Sequence, residues 1–167
     1  MANYIFPVNG HGLIKTVGEE DAYKAAIYDV FELYRKFMIG SRAEVEVEGA
    51  STDSKLKFFS IGGDLNNLPE LYDIKCKFID SAAALREDGS LSIVLINRDH
   101  ESAQKVSLIL PKDYKPTCAW SIFGDDINSA NRPDDRERVK AREEKLDTNT
   151  FIIPPCGFLL ILTNFGG

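Results

Sequence analysis

The chain has 167 residues, of which 44% are apolar and 28% charged, a composition that suits one folded domain with a core of its own. Its formal charge of -6 speaks against a nucleic-acid binder, which needs a basic footprint to displace counterions. No apolar run reaches the roughly 18 residues that span a membrane, and no basic region followed by an apolar stretch marks a secretory leader.

Residues 3–8 predict a short strand, at a sheet edge or packed alone, because Pro7 cannot donate to a ladder. Asn9-Gly10 is a turn pair, and His11 follows in a loop with no second ligand nearby. Residues 17–38 predict a helix. Thr16 and Glu19 have capping-box spacing, Glu20 and Asp21 suit the first turn, and Arg35 and Lys36 suit the last. Tyr23, Ile27, Val30, Phe31, Tyr34, Phe37 and Met38 recur at three- and four-residue spacing, and Gly40 supplies the stop. The face is more aromatic than one small helix needs. It packs on its own sheet or meets another domain or subunit, and Tyr23, Phe31 and Tyr34 are the candidate interface residues.

Strand patterns follow. Ala43, Val45 and Val47 alternate with Arg42, Glu44, Glu46 and Glu48, giving one wet face. Lys55 to Ser60 repeats this loosely, and residues 62–71 read as a loop. Residues 74–85 predict one long strand, in which the small Ala82, Ala83 and Ala84 leave room for something to pack closely. The turn pair Asp88-Gly89 then opens the clearest strand, Leu91 to Asn97, as a hairpin partner. Asp99, His100 and Glu101 cluster in the next loop, without a third or fourth metal ligand at a recognised spacing.

Residues 105–110 and 115–123 predict two more strands; the second holds Trp120, with Tyr114 just before it. Exposed, these two rings would offer a stacking platform for sugar; Trp120's apolar neighbours point instead to the core. Residues 124–135 form a long polar connection whose aspartates lack the EF-hand order of ligands. Residues 136–146 read as an edge strand or irregular chain, with helix as the alternative. Asp147 to Thr150 is a turn. Pro154-Pro155 blocks central pairing after Phe151-Ile152-Ile153. Residues 157–163 are apolar on both faces and so predict a central, doubly covered strand.

The fold class expected is mainly β: an antiparallel β-sandwich or jelly roll with one N-terminal helix, a small closed barrel being the alternative. Residues 1–40, a short strand plus the amphipathic helix, pack on a sandwich of residues 41–167 as one compact domain. Cys76, Cys118 and Cys156 are an odd, widely spaced set. They predict free thiols in a reducing compartment, the cytoplasm; one disulfide plus a free thiol is the alternative. Phosphate-loop, GxSxG, HExxH and CxxC motifs are all absent, so neither a catalytic residue, a metal site nor a cofactor is expected.

Several fragments together carry a resemblance: Leu91 to Arg98, Val106-Ser107-Leu108, Gly124-Asp125-Asp126, Asn128 to Pro133, and Ile153-Pro154-Pro155-Cys156-Gly157-Phe158. The run is similar to the C-terminal β domain of intracellular alpha-L-arabinofuranosidases of glycoside hydrolase family 51. Tyr28 to Tyr34 resembles the last helix of that family's catalytic barrel, and Val8 to Ile14 the chain before it. Arg138-Val139 stands where the family has a valine. The chain departs from the pattern after Pro133, where the family has an aromatic-Asx-Pro run, and at Cys156, where a serine is common.

The resemblance implies a noncatalytic accessory domain acting in structure or assembly. The family's two catalytic glutamates lie on barrel strands and match no residue here. The implied partner is a catalytic barrel domain, or a second copy through the helix face. Two other readings stand beside it. One is a carbohydrate-binding module. The other is a fragment or subunit that, combined with a barrel, hydrolyses terminal alpha-L-arabinofuranosides.

Overall fold

A computed structural model describes residues 8–56, 72–146 and 148–165. Residues 3–7 of the strand expected over 3–8, residues 57–60, the loop of 62–71 and the turn residue Asp147 lie outside them. The elements are β1 (Ile14–Val17), β2 (Asp21–Lys24), α1 (Tyr28–Phe37), β3 (Ser41–Ala43), β4 (Ser51–Leu56), β5 (Tyr72–Lys77), β6 (Ile79–Leu85), β7 (Leu91–Asn97), β8 (Gln104–Ser107), β9 (Tyr114–Ile122), β10 (Arg142–Lys145), β11 (Thr150–Ile153) and β12 (Phe158–Phe165).

The main sheet is six-stranded and antiparallel, in the order β10-β9-β12-β7-β6-β3. Side-chain alternation sends successive residues of its central strands to opposite faces. Val94, Trp120, Ile122, Phe158 and Leu160 point to one face, where Leu33 and Phe37 of α1 cover them. Ile93, Leu95, Ala119, Leu159 and Ile161 point to the other, where Phe151 and Ile153 of β11 and Val106 of β8 pack. Strand β8 pairs with β11, and β4 with β5, as two-stranded ladders. The result is an antiparallel β-sandwich with its helix on the outer face of the larger sheet. The doubly apolar β12 is central, as its sequence requires: Leu160 and Ile161 are fully buried. Each such side chain stabilises the fold by about 1.5–3 kcal/mol through removal from water.

Four expectations are corrected. The helix does not begin at residue 17. Gly18, at φ +67, turns the chain between β1 and β2, a conformation glycine adopts without strain. Thr16 is a hairpin residue whose backbone N–H donates to Asn9 Oδ1 at 2.8 Å, so its spacing to Glu19 caps nothing. The strand expected over 42–48 leaves its ladder after Ala43. The strand expected over 74–85 is two strands. Phe78 N–H donates to Ala50 O at 3.1 Å, ending the β4–β5 ladder, and Arg98 N–H donates to Phe78 O at 2.7 Å as β6 enters the main sheet. The strand expected over 105–110 ends its ladder at Ser107. Residues 142–145 settle the open reading of 136–146: they form an exposed edge strand, Arg-Glu-Glu-Lys, whose charges protect the sheet edge.

Polar groups fix the helix to the sheet. The buried Ser92 Oγ donates to Phe37 O at 2.7 Å, satisfying a carbonyl at the helix end. Gly40, at φ +147, lies against β6, and a Cβ there would collide with the Leu85 carbonyl oxygen.

Candidate functional site

Three places gather the chemistry of the described residues: the aromatic seam under α1, a cavity on the opposite face of the main sheet, and the polar connection after β9.

The seam holds two of the residues singled out in the sequence. Phe37 lies over Trp120 with ring centroids 4.4 Å apart and an interplanar angle of 26°. Tyr34 tilts against Phe158 at 6.0 Å. Burial, with Asp80 adding to it, pushes the Tyr34 phenol above its usual range. Tyr34 and Trp120 are both half-buried and belong to the core on this face. A sugar-stacking ring needs a bare face, and Phe37 covers one face of Trp120. Val30, Leu33, Tyr34, Phe37 and Met38 turn the helix's apolar side to the sheet, leaving Glu32, Arg35 and Lys36 exposed. Tyr23, on β2, is half-buried with the Arg136 guanidinium 6.0 Å from its ring; Phe31 is half-buried on α1.

The cavity measures about 590 Å³. Ala83, Ile93, Leu95, Leu108 and Leu110 give it an apolar lining, and Tyr114 lies at its margin, tilted against Phe165 at 5.2 Å. Ala83 is one of the small residues that the sequence marks as leaving space over the sheet. Arg42, Glu44, Glu46 and Glu48 also border the cavity, but all four are exposed. General acid–base chemistry needs a titratable group poised in a shielded cleft, and these carboxylates stand in water.

The polar connection is tied back to the N-terminal hairpin and helix. Asn131, nine-tenths buried, donates from Nδ2 to Lys24 O and Val139 O, each at 3.0 Å, and accepts at Oδ1 from Val139 N at 2.8 Å. Asp29 accepts from Ala141 N at 2.8 Å through Oδ2 and from Lys24 Nζ at 3.4 Å through Oδ1. Arg136 grips Asp21 with both guanidinium arms, holding that carboxyl below its ordinary range. Burial pulls the Lys24 ammonium down, yet its bond to Glu32 and the nearby Asp29 leave it raised overall. Two cations and three carboxylates pair here, Arg136 with Asp21 and Lys24 with both Asp29 and Glu32. The arrangement is a clasp between distant parts of the chain.

The acidic loop is also self-satisfied. Asp99 accepts from the backbone N–H groups of Glu101 and Ser102 and from Gln104, which holds its carboxyl below the usual range. The buried Asn97 donates to Ser102 O, Ile153 O and Pro154 O and accepts from Asp99 N, fixing the loop to the Pro154-Pro155 turn. No group of three or more His, Cys, Asp or Glu among the described residues converges to hold a metal ion. Cys76, Cys118 and Cys156 are free thiols; burial pushes Cys118 up, away from the thiolate form. No helix among the described residues is long and apolar enough to cross a membrane.

Sequence reasoning missed Asn131 and Asp29 as organising residues. Asn131 lies in the connection expected to bond through local Asx turns; its bond to Lys24 spans 107 positions, which no local pattern records.

Neither a family model nor a curated protein matches the sequence. Solved structures do match the fold. The alpha-L-arabinofuranosidase of glycoside hydrolase family 51 from Thermotoga petrophila RKU-1 superposes with a TM-score of 0.73 and 22% identity, over 94% of this chain and 32% of that one. The Thermotoga maritima alpha-L-arabinofuranosidase, solved with arabinose, gives 0.73 and 23%, over 93% and 32%. The catalytic domain of a family 30 xylanase from Talaromyces cellulolyticus gives 0.52 and 13%, over 94% and 28%. The chain therefore spans about a third of the length of the structures it matches. At these identities the likeness is one of fold.

Proposed function

We propose that this chain is a noncatalytic accessory β domain of the kind joined to the catalytic body of family 51 alpha-L-arabinofuranosidases, serving its structure or assembly. The observation that carries this is the superposition of nearly the whole chain on about a third of each arabinofuranosidase, combined with described polar clusters that are mutually satisfied. The fragments from Leu91 to Phe158 that resemble the C-terminal domain of that family add sequence support. The partner is a catalytic barrel that hydrolyses terminal alpha-L-arabinofuranosides. Self-association through α1 is the weaker choice, because the helix already spends its apolar side on the sheet.

As a carbohydrate-binding module the chain would need an open aromatic platform. The stacking of Phe37 on Trp120 favours the structural role instead. We further propose that residues 1–40 and 41–167 act as one unit; Leu33 and Phe37 sharing a core with Phe158 and Leu160 supports this for the described part. The three free thiols fit work in a reducing cytoplasm, which cell fractionation tests.

The purified chain should not release nitrophenol from a nitrophenyl arabinofuranoside. With a barrel polypeptide encoded beside it, it should sediment as a complex and raise that polypeptide's activity or melting temperature. Turnover by the chain alone, abolished by substituting one of its own residues, would overturn the proposal. So would a barrel partner whose sedimentation, activity and melting are all unchanged by it.

A further inference from the structure

We draw no further inference here: the strongest candidate, the apolar cavity between the inner face of the six-stranded sheet and residues 106–111, carries nothing because nothing in the structure shows what covers it.

Discussion

Phe37 and Trp120 stack across the seam between α1 and β9, 83 positions apart in the chain, at 4.4 Å between ring centroids. This pair joins the helix to a strand beside the centre of the main sheet. Phe37→Ala would leave a cavity under the helix and cost about 3–5 kcal/mol. Urea denaturation followed by tryptophan fluorescence reads the loss directly. Phe37→Leu, which keeps most of the volume, should cost clearly less. Equal losses for the two variants would mean that the ring does not sit in a packed seam.

Asn131 satisfies three backbone groups at once, and two of them belong to Val139. Asn131→Ala would strand buried donors and acceptors, at a cost of about 1–3 kcal/mol. Asn131→Asp keeps the acceptor for Val139 N but loses both donors, so it should not restore stability. Chemical denaturation compares the variants, and a fully stable Asn131→Asp protein would refute the donor role.

Ser121 gives the opposite expectation. Its Oγ is buried without a hydrogen-bond partner among the described residues. Removing an orphaned hydroxyl recovers part of its desolvation cost, so Ser121→Ala should be neutral or stabilising by up to about 1 kcal/mol. A marked fall in the denaturation midpoint would show that the hydroxyl has a partner.

Asp99 sets a pH dependence whose sign is fixed. Backbone N–H groups bind its carboxylate in the folded protein and hold its pKa below the unfolded value. Its contribution is therefore present above the unfolded pKa of about 4 and is lost as pH falls through the lower folded value. Asp21 and Asp88 share that direction, through Arg136 and Ser90 respectively. Asp99→Asn should flatten the acid limb of the stability curve below about pH 4, measured as melting temperature against pH. An unchanged acid limb would remove Asp99 from the account.

What the sequence reveals depends on how local the determining physics is. Strand β7 is legible because its turn pair, Asp88-Gly89, and its apolar run lie side by side. Strand β12 is legible because apolar residues on both faces require cover on both faces. The helix start is misread because Thr16 and Glu19 carry a capping spacing while Gly18, between them, makes a hairpin turn. The split at Phe78 carries no breaker residue. It exists because β5 and β6 pair with different strands, a tertiary fact. The candidate site follows the same division: Trp120's apolar neighbours announce a core residue, whereas the Asn131 and Asp29 clasp depends on contacts more than 100 positions apart.

The position of β12 bears on how the sheet is joined. It is the last of the described strands, yet it lies between β9 and β7 in the sheet. In this sheet only Phe158 to Phe165 join the β6–β7 ladder to the β9–β10 ladder. Without them each ladder presents an open, apolar inner edge. A chain cut back to residue 157 would therefore leave those two edges unpaired, since the eight residues of β12 are what bonds to both.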